Sequence, residues 1–302
     1  SVVAYAMLRF GQPVHLWAWL QSVGETGSGL HGVGKMVDGL TAPFPFLWAD
    51  KPLEPVAPAE ASWPLGHRFA SGRVFLRSAW DSPEAAHVSF TSGYDNHRGH
   101  NHQDENAVTL HALGEAFLID PGYEPADSRS HNTLTIGGAD QIPGSSGRVV
   151  AYREDANGAF VRGQAPEAYD WQKALVGHFD RKVYFVRGPQ PYLVWRDDTQ
   201  LETDRPGEVT AHLITAPDNR FEPIEGGYVI HGARTGARCL VQVMSPISAV
   251  ALAVENLDGK TFVSRGRTYS YDRYYRSAIA TARALNPRLL TVAFPFRDQA
   301  EL

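Results

Sequence analysis

GHNHQDENAVTLHALGEAFLIDPGY, residues 99–123, changes character part-way along. Gly99 to Asn106 are small or polar and include two histidines and two carboxylates. From Ala107 onward the segment takes on β character, with Val108 and Leu110 on one face of an extended strand. Leu113–Gly114–Glu115 reads as a turn, and EAFLID returns as a second strand that delivers Asp120. The stretch is a β-hairpin with a histidine-rich approach. Imidazoles and carboxylates converging at a strand start are costly unless hydrogen-bonded or metal-bound, so the approach calls for an explanation.

The hairpin has many neighbours of its own kind. RVFLRSAW (73–80), AAHVSFTSG (85–93), NTLTIGG (132–138), KVYFVRG (182–188) and PYLVWRDD (191–198) are all short β-type segments. EVTAHLITA (208–216), GYVIHGA (227–233), RCLVQVMSP (238–246), RTYSYDRYYRSAIATA (267–282) and LLTVAFPF (289–296) continue the series. Gly, Pro, Asn and Asp punctuate them at intervals of roughly 8–15 residues, as an antiparallel sandwich requires. No βαβ alternation is present, which argues against a doubly wound fold.

Upstream the pattern differs. Val3, Ala6, Met7 and Phe10 form one helical stripe and Leu16, Trp19, Leu20 and Val23 another, separated by Gly11 and Pro13. Between Thr41 and Pro64 the chain is proline-rich, as in an extended surface crossing. The expected organisation is a helical remnant over 1–40, a linker over 41–67 and a large antiparallel β-sandwich over 68–302. Because the chain opens at Ser1 inside a helical pattern, it reads as a mature or cut fragment with an upstream portion missing.

Composition narrows the function. The 302 residues are 43% hydrophobic and 20% charged, as in an ordinary globular protein with a sizeable core. A net charge of −5 lacks the basic excess of a nucleic-acid binder, so any anion site must be local. The one cysteine, Cys239, excludes an internal disulfide and reads as a small buried hydrophobe. There is no apolar run long enough to span a membrane and no signal-peptide pattern.

If residues 100–110 are extended, His100, His102, Asp104 and Asn106 share a face. His102, Asp120 and His131 then make a tetrahedral zinc set with a fourth position open, and Asp104 and Asn106 would orient the ligand histidines. His-x-His-x-Asp also opens the metal site of metallo-β-lactamase-like hydrolases. There the next residue is normally a histidine and a helix follows; here it is Glu105 and a hairpin. His87, His111, His178, His212 and His231 are scattered in strand-like segments and read as structural. The tyrosines and arginines of RTYSYDRYYRS are explained largely by alternation in a strand.

As an ordered set, GHNHQDENAVTLHALGEAFLIDPGY and the following SRSHNTLTIGGADQ resemble the C-terminal β-sheet domain of heparinase II/III-like polysaccharide lyases. The resemblance covers residues from about Arg73 to Gln141. It implies an incomplete α/α toroid followed by an antiparallel β-sandwich, with helices 1–37 as the end of the toroid. It also implies β-elimination on a uronic-acid-containing polysaccharide, alginate-type or glycosaminoglycan, in the periplasm or outside the cell. The general-acid tyrosine and the groups neutralising the substrate carboxylate would come from the toroid, upstream of Ser1.

On this resemblance His102, Asp120 and His131 match the family's zinc ligands, and the metal is mainly structural. His100 matches a residue that contacts the acid group or shares in proton transfer, and Tyr123 a tyrosine near the active site, on a loop that is shorter here. Asn96, Arg98 and Arg129, on loops beside the cluster, would hold anionic sugar groups. The chief alternative is a zinc-stabilised β-sandwich that binds acidic glycans without cleaving them. A metal-dependent hydrolase is the third reading.

Overall fold

The computed structural model describes Pro13, Val14, Trp17 and residues 54–93, 101–122, 125–169, 176–256, 259–264, 267–270 and 276–298. Pro13, Val14 and Trp17 are helical. The rest of the expected helical segment and most of the linker lie outside the described residues. The chain divides into two units, Ser1–Pro64 and Leu65–Leu302, and the second carries every strand described below.

That unit opens with β1 (Gly66–Arg68), β2 (Arg73–Arg77), β3 (His87–Thr91), β4 (Ala107–Ala112) and β5 (Glu115–Leu118), which form an antiparallel meander in sequence order. The expected turn between β4 and β5 is present. Leu113 and Gly114 both have positive φ, 53° and 76°. Two left-handed central residues give the loop whose twist matches that of the flanking strands.

After β6 (Leu134–Ile136) come β7 (Arg148–Asp155), β8 (Gly158–Gln164), β9 (Val176–Val186) and β10 (Tyr192–Leu201). Then follow β11 (Gly207–Ile214), β12 (Arg220–Ile224), β13 (Gly227–His231), β14 (Arg238–Met244) and β15 (Val250–Asn256). The last are β16 (Thr261–Ser264), β17 (Arg267–Ser270), β18 (Arg276–Ala284) and β19 (Arg288–Phe296). In the segment read as one strand over 267–282, the described residues belong to β17 and β18, which pair in different sheets.

β12-β13-β14-β19-β10-β9-β8-β7 make an eight-stranded sheet, and β15-β18-β11-β6 a four-stranded one; β16 and β17 pair by themselves. The four-stranded sheet continues the meander, because the Ile119 N–H donates to the Ile214 carbonyl (3.0 Å) and Ala216 N–H to Ala116 (3.4 Å). Strict alternation explains why these segments are strands. Along β8 and β10 every second residue is buried, and Val161, Phe185, Leu193 and Trp195 enter one core together with Val88, Phe90, Val108 and Leu134 from the opposite layer.

The two layers are also tied by polar contacts. Tyr228 of β13 donates to the carbonyls of Ala253 (2.9 Å) and Ile279 (2.6 Å). Arg181 of β9, 1% exposed, forms a two-point pair with Asp197 of β10 (2.6 and 2.9 Å). Its Nη1 reaches across to the carbonyls of Asn106 (2.7 Å) and Asn132 (2.5 Å). These are the main-chain segments that carry the candidate site.

Candidate metal centre

His102 lies on the approach to β4, Asp120 follows β5, and His131 closes a short 3-10 turn over Ser128–Ser130. Their ligand atoms all lie within 4.8 Å of one another. His102 Nδ1 is 3.1 Å from His131 Nε2, which is 3.8 Å from Asp120 Oδ2. Donors bound at about 2.0–2.1 Å to a small tetrahedral cation stand roughly 3.3 Å apart, so the spacing suits one.

Neighbours orient each ligand. His131 Nδ1 lies 2.7 Å from the Asp127 carbonyl, which can only accept. A proton therefore sits on Nδ1, and Nε2, facing His102 and Asp120, is the atom that would take a metal. Asp120 Oδ1 accepts the Gly122 N–H at 2.8 Å, leaving Oδ2 for the cluster. His131 is 1% exposed and Asp120 about half exposed, so the group is buried on one side and open on the other. These three residues could hold a metal ion; no other such triad occurs among the described residues.

Four side chains hold the loops in register. Gln141 Oε1 accepts the Glu105 N–H (2.8 Å) while its Nε2 donates to the Glu105 carbonyl (2.9 Å), an amide-to-backbone clamp. Thr133 donates to that same carbonyl (2.7 Å), and Ser128 to the Gln103 carbonyl (2.8 Å). Asn132 donates to the Ile119 carbonyl (2.8 Å) and accepts the Ile214 N–H (2.7 Å), so the residue after His131 fixes the residue before Asp120.

This clamp corrects the expectation of an extended 100–110. Residues 101–106 are not strand; β4 begins at Ala107, and Asn106 adopts φ 61°. His102, Asp104 and Asn106 do not share a strand face, because Gln141, Thr133 and Ser128 draw the main chain into a tight loop. Nor do Asp104 and Asn106 orient the histidines. Neither makes a hydrogen bond to either ring, and both side-chain polar atoms of Asn106 lack partners although fully buried. That role falls to the Asp127 carbonyl for His131.

Glu105, where a metallo-β-lactamase-like site would carry another histidine, is buried and turned away from the triad. Its Oε2 accepts the Gly93 N–H at 2.9 Å. Burial, with Asp104 beside it, pushes its carboxyl up to about 8.

Of the other expected site residues, Arg129 directs its guanidinium to the Gly138 carbonyl (2.9 Å) and Asp140 (3.7 Å). It does not line the cleft beside the triad. That cleft, about 320 Å³, is bounded by Arg73, Phe75, Ser89, Thr91, Thr109, Asp120, His131 and Asn132. Asn96, Arg98, His100 and Tyr123 lie outside the described residues. The reading of the scattered histidines as structural fits His212, which is buried against Thr135 (2.9 Å); burial pushes its imidazole down to about 3.

Sequence reasoning missed Arg181, Asn132, Gln141 and Arg73. Asn132 and Gln141 stood within SRSHNTLTIGGADQ and could have been marked there. Nothing in FDRKVYF distinguishes a buried arginine from an exposed one.

Residues 71–267 match the family model described as heparinase II/III-like, C-terminal. The chain belongs to this heparinase II/III-like family. The β-sheets are those of its C-terminal domain. Among solved structures, the chain is similar to the heparan sulfate lyase HepC from Pedobacter heparinus, with a TM-score of 0.64 at 15% identity over 98% of this chain and 42% of that one. It is also similar to a heparinase III, with a TM-score of 0.61 at 14% identity over 88% of this chain and 41% of that one. At such identities the likeness is one of fold, and the chain spans about two fifths of the length of these relatives. No curated protein matches it. No described helix is long and apolar enough to cross a membrane.

Proposed function

We propose that this heparinase II/III-like chain is part of a polysaccharide lyase that cleaves a uronic-acid-containing glycan by β-elimination, in the periplasm or outside the cell. The observation that carries the reading is the meeting of His102, Asp120 and His131, from three separate loops, in a chain of this family.

The donor set of two imidazoles and one carboxylate suits zinc. Zinc bound there would supply a rigid tie between the loops before β4, after β5 and before β6. The chemistry of elimination is assigned to side chains. A uronate lyase must neutralise the substrate carboxylate, take the proton at C5 and protonate the departing oxygen at C4. The family resemblance assigns His100, two residues before His102 in sequence, to contact the acid group or share in proton transfer, with Tyr123 as the second candidate. Asn96, Arg98 and Arg129 remain candidates for holding anionic groups; Arg129 would have to leave Gly138 and Asp140 to do so. The position of Glu105, engaged with Gly93 rather than with the triad, favours this reading over a binuclear hydrolase.

The test is direct. The full-length protein is incubated with alginate, heparin and hyaluronan, and the ultraviolet absorbance of an unsaturated uronate is followed. Its appearance supports elimination. Cleavage without the chromophore, abolished by chelation, would replace the lyase with a hydrolase, and binding without cleavage would leave a zinc-stabilised glycan-binding sandwich.

A further inference from the structure

The outer face of the meander carries an arrangement that the triad does not use. Register places Arg73 opposite Thr91 and Thr91 opposite Ala107. The next row is Phe75, Ser89 and Thr109, and the third Arg77, His87 and His111. Side chains two apart on a strand point the same way, so these nine residues form a grid on one face. The first row lies at the end where β4 begins, beside the loop that bears His102.

This end of the grid is the wall of the cleft of about 320 Å³ whose other boundary is Asp120, His131 and Asn132. Its chemistry is specific. Phe75 is 40% exposed and is braced edge-on by Phe69 at 5.8 Å, so its ring offers an apolar face. Ser89 and Thr109 are hydrogen-bonded to each other at 2.6 Å, and with Thr91 they present three hydroxyls. The Arg73 guanidinium makes no hydrogen bond or ion pair with a described residue, whereas those of Arg68, Arg162, Arg181 and Arg187 do; its charge acts only through space, on the Glu105 carboxyl. An aromatic face, a cluster of hydroxyls and an exposed guanidinium with no hydrogen-bond partner among the described residues, all lining one hollow, match an anionic sugar: ring against ring, hydroxyl to hydroxyl, carboxylate or sulfate to arginine.

We propose that the outer face of β2, β3 and β4 is a subsite for one acidic sugar unit, with Arg73 binding its anionic group and Phe75 stacking on its ring. The proposal rests on the acidic-glycan reading above and adds a place and a selecting residue to it. Arg73 is a specificity determinant and takes no part in proton transfer.

The experiment compares wild type, Arg73→Gln, Arg73→Lys and Phe75→Ala in the full-length protein. Calorimetric binding and steady-state turnover are measured with alginate, heparin and hyaluronan oligosaccharides, with a neutral cello-oligosaccharide for contrast. Arg196→Gln, on the outer face of the opposite sheet, controls for general charge. R73Q should weaken binding or raise KM about tenfold or more for the acidic ligands while kcat stays within about twofold and Tm is unchanged. R73K should recover part of the loss. Wild-type behaviour of R73Q with every acidic ligand would overturn the subsite and leave the lyase reading standing. Arg73-dependent binding by a protein that never produces the chromophore would do the reverse. Absence of both binding and cleavage in the wild type would sink the two together.

Discussion

The Nδ1 atom of His131 donates to the carbonyl of Asp127 at 2.7 Å, and that contact decides which nitrogen faces the metal cluster. With the proton held on Nδ1, Nε2 is free to act as a ligand without any rearrangement. Replacing His131, His102 or Asp120 with alanine should lower zinc content and thermal stability together. A metal present at 100 to 1,000 times its dissociation constant stabilises the fold by about 3–4 kcal/mol, and chelation of the wild type should cost a similar amount. Metal analysis and thermal melts check this; a variant that loses zinc yet melts unchanged would remove the structural role.

His100 should separate from His102 despite lying two residues away. His100→Ala is expected to retain zinc and Tm while turnover is abolished. Loss of zinc in that variant would show that the division between the two histidines is drawn in the wrong place.

Arg181 should matter to the metal without touching it. Arg181→Met leaves Asp197 buried without its partner and should destabilise by about 3–5 kcal/mol. It also frees the carbonyls of Asn106 and Asn132. The double variant R181M/D197L buries no lone charge and should recover much of the stability, yet metal affinity should stay about 10–100-fold weaker. Denaturant melts and a zinc titration separate the two effects; full recovery of affinity in the double variant would count against a positioning role.

Glu105 should make stability fall as pH rises. Its carboxyl is pushed up to about 8 in the fold, chiefly by burial and further by Asp104, from an ordinary value of 4.5. The stabilisation is complete below pH 4.5, where the group is protonated folded and unfolded alike. It declines as the unfolded chain ionises and is lost once pH passes about 8. Relative to Glu105→Gln, the wild type should lose on the order of a few kcal/mol across that window. Parallel pH–stability curves for the two proteins would contradict the assignment.

The strands were legible because alternation is local: β2, β3, β4, β9, β10, β14 and β19 each reveal their buried face within a few residues. The β7–β8 hairpin was missed although its signal was present. Asp155 accepts the N–H groups of Asn157 and Gly158 at 2.8 and 3.0 Å, and Asp-x-Asn-Gly between two apolar runs marks such a turn. The long stretch over 267–282 reads as one strand because no Gly, Pro or Asn interrupts it.

The sequence by itself determined the class of fold, the family resemblance and the three residues that could bind a metal. Each of these rests on local pattern or on residue types in a fixed order. Only the tertiary structure decided what surrounds them. Asn106 leaves the strand because Gln141, 35 positions on, clamps the main chain at Glu105, and Arg181 reaches back 75 positions to the same loop. The cleft exists because β2, β3 and β4 bring Phe75, Ser89 and Thr109 side by side, with Arg73 and Thr91 in the next row. Contacts between distant segments are set by sheet register and burial, which local periodicity does not encode.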